Sequence, residues 1–315
     1  MELDEKDVKI LNCVSEGGYK SIKFLSERTC LSRFIVKNKI NDLVSKGVVK
    51  GQSVIINPYT FKYLQDVFFE FKTNPNEPLI VESLEKLENC ETLDGISGEY
   101  SIIAKFRFKH QIEFKNLLDY IDKLMSKSIF KKYRIVNVVR IYKEFGIGLK
   151  EDPKIIDLDD LDFKIIEILK KSSIFSKKFK PINTTEISKI LKTIGSPVSQ
   201  PTVHKRISRL ESKKVILKRI LLIDHRKIKR TLKFILRIKV NPRYYERVAL
   251  GELIAMSDII HLYRTSEDYG LLAVVRAENV EAYNTFLMRL YNSGKVLDTH
   301  STLVLDERKK LSVLF

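Results

Sequence analysis

The side chains whose types and spacing could do chemistry are concentrated in one stretch, "SQPTVHKRISRLESKKVI", residues 199–216. Val203, Ile207 and Leu210 fall four and three residues apart, the spacing of a single apolar helix face. Around that face stand Ser199, Gln200, Thr202, His204, Lys205, Arg206, Ser208 and Arg209. Cations among small hydroxyl side chains suit a polyanion groove: the small residues allow close approach, and Lys or Arg reaches phosphates or guanine edges. Helical projection sets Pro201, Thr202, Lys205, Ser208, Arg209 and Ser212 opposite the apolar face. Lys218 and Arg219 follow in a segment expected to contact phosphate. A second stretch, "SRFIVKNKINDLVSKGVV" (32–49), repeats the pattern with Val36, Ile40 and Leu43. It offers Arg33, Lys37, Asn38 and Lys39, with Phe34 and Ile35 on its outer arc, and it has Asp42 where the other stretch has Arg209.

Charge supports the same chemistry. The chain carries a net +17, and residues 199–239 hold 14 Lys and Arg against only Glu211 and Asp224. A field so local attracts polyanions, whereas a generally lysine-rich composition would spread its charge evenly. Other chemistries have less to work with. The five histidines and twelve glycines form no HExxH motif and no Gly-rich phosphate loop ending in Gly-Lys. Cys13, Cys30 and Cys90 are odd in number and far apart, with no metal spacing or disulfide framework, which suits a reducing cytoplasm. No apolar run approaches 18 residues, and the first residues, "MELDEKDVKI", are acidic rather than signal-like. The expectation is a cytoplasmic protein without membrane segments, metal, cofactor or catalytic activity.

These helices must be positioned by a larger frame, and the frame is written twice. "LDEKDVKIL" (3–11) matches "LDDLDFKII" (158–166) at an offset of 155 residues. From residue 31 to "NP" at 74–75 the offset is 167, the extra residues falling in "KKSSIFSKKFKPIN". "SGEYSIIAKFR" (97–107) then matches "SEDYGLLAVVR" (266–276). Each copy opens with three helices, 4–14, 22–28 and 32–45 in the first and 159–171, 184–192 and 199–213 in the second. Asp4 and Asp159 are the expected caps of the first helices, and Ser32 and Ser199 those of the third. "GVVKGQSVIIN" and "KVILKRILLID" each read as two short strands of a wing. A strand–helix–strand–strand–helix–strand order follows in each copy, the ferredoxin-like split βαβ arrangement.

With these elements in place, each copy resembles the Lrp/AsnC (feast/famine) family of transcription regulators. The resemblance rests on "LDDLDFKIIEIL", "VSQPTVHKRISRLESKKVI", "HLYRTSEDYGLLAVVRAENVEAYNTFL" and "THSTLVLDERK". It implies an α+β fold of two winged helix-turn-helix domains, each followed by a ferredoxin-like regulatory domain. The corresponding boundaries are 1–60, 61–145, a linker at 146–157, 158–228 and 229–315. It implies double-stranded DNA as partner, pairing of the two regulatory domains into a single-chain pseudo-dimer, and further homo-oligomeric assembly. The family's Gly-Asp-Tyr-Asp-like turn, tied to an amino-acid effector or to oligomer contacts, corresponds to Gly98-Glu99-Tyr100-Ser101 and Glu267-Asp268-Tyr269-Gly270, and neither copy keeps it intact. Siroheme decarboxylases resemble the same architecture; their chemistry would fall to His225, Arg226 and His261. A protein-interaction adaptor using Phe34 and Ile35 is the other alternative.

Overall fold

The computed structural model describes residues 3–17, 19, 21–60, 65–108, 110–149, 156–171, 178–224, 227 and 232–308. The first half runs α1 (Glu5–Gly17), α2 (Ile22–Thr29), α3 (Arg33–Ser45), β1 (Val49–Ile56), β2 (Gln65–Lys72), α4 (Pro78–Glu85), β3 (Cys90–Ile96), β4 (Ile102–Phe108), α5 (Gln111–Met125), β5 (Lys132–Glu144) and β6 (Ile147–Gly148). The second runs α6 (Asp160–Lys171), α7 (Thr184–Thr193), α8 (Gln200–Ser212), β7 (Ile216–Ile223), β8 (Leu232–Val240), α9 (Tyr245–Gly251), β9 (Ile259–Thr265), β10 (Leu271–Ala277), α10 (Val280–Tyr291) and β11 (Val296–Glu307). These elements form two compact units, and each unit draws on both halves of the sequence.

One unit holds α1–α3 with β1 and α6–α8 with β7. Ser32 Oγ accepts from Ile35 N–H, and Ser199 Oγ from Thr202 N–H, each satisfying one of the unpaired amides that open a helix. Val36, Ile40 and Leu43 are fully buried, as is Val203, and Ile207 and Leu210 nearly so. Among the described residues neither of the expected wings forms. Instead, β1 and β7 are single eight-residue strands that pair antiparallel with each other, Val49 opposite Ile223 and Ile56 opposite Ile216. Gly51 and Ser53 lie within β1 without turning it: the strand runs on through them, paired with Leu222 and Ile220, and is buried along nearly its whole length. The crossing is also a core exchange. Leu221 and Ile223 of β7 pack with Ile10, Ile40 and Leu43, while Val54 and Ile56 of β1 pack with Ile165, Ile207 and Leu210.

The other unit contains the βαββαβ order twice. Among the described residues its strands run β2-β4-β3-β11-β8-β10-β9-β5-β6, and the ring closes because β5 also pairs with β2. The two long strands make the joins. β5 bonds β2 through residues 132–137 and β9 through 138–143, while β11 bonds β8 through 296–303 and β3 from Val304 onward. One face of each half-sheet packs on its helices, Phe69 and Phe106 with Leu117 and Ile121 in the first, Leu236 and Leu262 with Val248 and Phe286 in the second. The linker expected from residue 146 begins later. Phe145 and Gly146, at φ 50° and 72°, turn the chain so that Ile147–Gly148 pairs back on Lys143–Glu144.

Gly270 is required by this frame. A Cβ there would lie 1.6 Å from an Arg264 guanidinium nitrogen and 2.7 Å from the Tyr245 ring. That guanidinium lies flat on Tyr245, its carbon 3.7 Å from the ring centroid, and donates to Gly270 O at 2.7 Å. Gly270→Ala should therefore break the stack and cost about 1–3 kcal/mol, as overpacking does, read as a lowered midpoint in thermal unfolding.

Candidate nucleic-acid interface

The outward surface of α8 presents Gln200, Thr202, His204, Lys205, Ser208 and Ser212, all exposed. Gln200 is partly committed, its amide donating to Thr184 Oγ1 at 2.7 Å, and Ser199 Oγ lies 2.9 Å from Thr202 Oγ1. Arg206 and Arg209 are both among the expected contacting cations, Arg209 on the outward arc, but both turn back toward α6. Arg206 bonds Asp159 and, at 3.2 Å, Asp162; Arg209 donates to Asp162 Oδ2 at 3.2 Å and to Asp157 O at 3.1 Å. Asp162 is fully buried and also exchanges backbone-to-carboxylate hydrogen bonds with Asp159, which caps α6. A buried carboxylate must be paired, and these two guanidiniums are its partners. Arg206 and Arg209 therefore hold α8 from behind, and Lys205 is the cation left on its front.

The same device recurs around α3. Lys39 bonds Asp4 and reaches Asp7 at 3.4 Å, Asp7 being buried, and Asp4 and Asp7 cap α1 reciprocally. The Lys39 hydrogen bond holds the Asp4 carboxyl down at about 2. Lys39 is thereby withdrawn from the outer surface, which keeps Arg33, Phe34, Lys37 and Asn38 exposed, Phe34 to 73%. Ile35 is half-buried. Asn41 is occupied as well: its Oδ1 accepts from Phe179 N–H at 3.0 Å, and the Phe179 ring meets Tyr19 edge-on at 5.1 Å. Phe179, from the segment inserted in the second half, thus meets the C-terminal half of α3.

Of the expected wing cations, Arg219 forms a two-nitrogen pair with Glu211 at 2.8–2.9 Å, and Lys218 is half-buried on β7. Exposed Lys189 and Lys192, which the sequence reading did not single out, line a hollow with Ser199 at the corner between α7 and α8. Their signal was weak, since on an amphipathic helix any exposed lysine reads as a solvated face.

In the sheet unit the two expected effector turns are internally satisfied. Glu99 pairs with Lys132 at 2.6 Å, and Tyr100 carries Lys132 and Arg134 over its ring at 5.6 and 5.2 Å. Glu267 lies 3.6 Å from both Arg134 and Arg237, Asp268 O accepts from the Tyr245 hydroxyl at 3.5 Å, and Tyr269 donates to Asp298. Gly98, at φ 116°, has open space beside it. His261 sits between Phe145 and Tyr263, and burial pulls its imidazole down to about 3, so it is neutral near pH 7. His225 and Arg226 lie outside the described residues. Asp66, Glu91 and Glu144 come within 4.8 Å of one another, as a metal site would require, but Lys105 and Arg107 already stand among them at 2.6–3.3 Å.

Known proteins share this arrangement. Residues 233–314 match the Lrp/AsnC ligand binding domain. The chain is 32% identical over 157 residues to the HTH-type transcriptional regulator FL11 of Pyrococcus furiosus, covering 50% of this chain and 95% of that one. It is 32% identical over 149 residues to the HTH-type transcriptional regulator LysM of Sulfurisphaera tokodaii, covering 47% of this chain and 96% of that one. Across its whole length it shares a fold with the siroheme decarboxylase NirDL, at a TM-score of 0.64 and 13% identity, covering 97% of this chain and 93% of that one. An identity that low speaks for the fold alone. The two regulators, by contrast, are matched along nearly their entire length, and on that ground the chain belongs to the Lrp/AsnC family of transcriptional regulators.

Proposed function

We propose that this chain is a cytoplasmic, sequence-specific DNA-binding regulator built as a tandem pair of helix-turn-helix and ferredoxin-like domains, one polypeptide doing the work of a dimer. The observation that carries the reading is α8: Thr202, Lys205 and Ser208 face outward, while the carboxylates of Asp159 and Asp162 grip its other cations from behind. A helix fixed in this way presents small polar groups and one lysine to a major groove with little flexibility of its own. The second reading surface is α3, with Arg33, Lys37 and Asn38 outermost and Phe34 suited to a thymine methyl. Because the two helices expose different side chains, the preferred site is asymmetric.

Selection of bound fragments from random duplex DNA tests this directly. A single enriched asymmetric site is expected. Lys205→Glu should weaken binding at least tenfold and lower the salt slope by about one counterion. Lys37→Glu should weaken it less. Binding without enrichment, or enrichment unaffected by Lys205→Glu, would count against the reading, and a change in the absorption spectrum of added siroheme would then move the assignment to the tetrapyrrole alternative.

A further inference from the structure

Between the two half-sheets of the β unit lies a layer of buried charge, and its signs are not distributed at random. β2 reads Gln65-Asp66-Val67-Phe68-Phe69-Glu70, and β8, offset by the same 167 residues as the sequence repeat, reads Leu232-Lys233-Phe234-Ile235-Leu236-Arg237. At both polar positions the sign is reversed: Asp66 corresponds to Lys233, and Glu70 to Arg237. All four are buried.

Glu70 and Arg237 bond each other. Residues at corresponding positions can touch only where the relation between the two half-sheets carries one onto the other, so this pair marks the local pseudo-twofold axis. Arg134 and Glu267 complete the cluster, Arg134 bonding Glu70 and lying 3.6 Å from Glu267, which is also 3.6 Å from Arg237. Beside it Lys233 reaches across to Asp94 at 2.7 Å. An assembly of like with like would replace the axial pair by Glu70 against Glu70, or Arg237 against Arg237. Like charges in a dry interior repel strongly, and each would also lose its counter-ion.

We propose that the inverted Glu70–Arg237 pair is a specificity lock: each inner sheet face accepts a sheet of the opposite sign and rejects its own kind. The partner that fits the first face is the second face of this protein, and symmetric first-on-first or second-on-second pairing between two copies is excluded. This rests on the single-chain pairing proposed above, but not on DNA binding.

The test uses the full chain with Glu70→Arg, Arg237→Glu and both together, read by thermal unfolding and by mass in solution. Each single variant places like charges at the axis and should lose about 10 °C in midpoint. The double variant restores opposite signs at the axis while setting a guanidinium beside Arg134 and a carboxylate beside Glu267, and should regain part of that loss at the wild-type mass. Co-expressed single variants now carry faces of opposite sign on different chains and should form a 1:1 complex of twice the chain mass that neither makes alone. A double variant no better than the worse single would overturn the lock, as would either single variant forming the same dimer alone. Recovery in the double without the mixed complex would overturn the selectivity and reduce the pair to a stabilising contact. Failure of the wild-type chain to bind DNA would leave all these readouts intact.

Discussion

Lys105→Met is expected to be the most damaging single substitution in the sheet unit, at about 3–5 kcal/mol, or roughly 10 °C in thermal midpoint. Lys105 is buried, and its Nζ lies 2.8 Å from Asp66, 2.9 Å from Glu91 and 2.8 Å from Glu144. Methionine keeps the stem's volume and removes the charge, so that the buried Asp66 and Glu144 still share Arg107 but lose their lysine. The pH dependence identifies the cause. Burial alone would raise the Glu144 carboxyl, but Arg107 and Lys105 outweigh it and hold the group at about 2, and they hold Asp66 below the usual carboxylate range. A depressed carboxyl contributes stability that is present above its unfolded value of 4.5 and lost as pH falls through about 2. In the variant that depression weakens, and protonating one carboxyl relieves the repulsion. The deficit against wild type should therefore be smaller at pH 4 than at pH 7 in urea unfolding. An equal deficit at both would assign the loss to packing.

Asp162→Ala carries the second large effect, about 2–4 kcal/mol from a lost reciprocal cap and the loss of the buried carboxylate that two guanidiniums share. Its consequence reaches beyond stability. Arg206 keeps Asp159 and Arg209 keeps Asp157 O, but the buried carboxylate that ties both to α6 is gone; α8 loses that part of its brace, so DNA affinity should fall although Asp162 itself faces away from the outer surface. Asp7→Ala makes the matching change under α3, where one lysine rather than two arginines loses its buried carboxylate, and should cost less. Circular dichroism melts beside salt-dependent DNA titrations would separate the two. Unchanged DNA affinity in a folded Asp162→Ala chain would show that the brace does not matter to reading.

Much of this architecture was legible in the sequence because it is governed by local rules. Val203, Ile207 and Leu210 at helical spacing, with Ser199 before them and Pro201 in the first turn, leave few alternatives to α8. The βαββαβ order followed from alternation and turns. What remained hidden depends on where elements distant in the sequence lie. Arg206 and Lys39 read as surface cations because projection of one helix cannot reveal a carboxylate on another. The hint was that Asp4 and Asp7 recur, three apart, as Asp159 and Asp162. Likewise Asp66 and Glu70 alternate with apolar neighbours as on a half-exposed strand, yet a second sheet covers that face. The wings failed for the same reason, since the partner of β1 is some 170 residues away.

That last separation has a consequence for how the protein is made. Val49 cannot meet Ile223 until the second half has left the ribosome, and at about 5–20 residues per second the wait is roughly 10–30 s. Throughout that interval an eight-residue strand, apolar at Val49, Val54, Ile55 and Ile56, has both hydrogen-bonding edges open, as a template for any neighbouring nascent chain. Synthesis of this protein should therefore lean on chaperones that shield the first half until the second emerges.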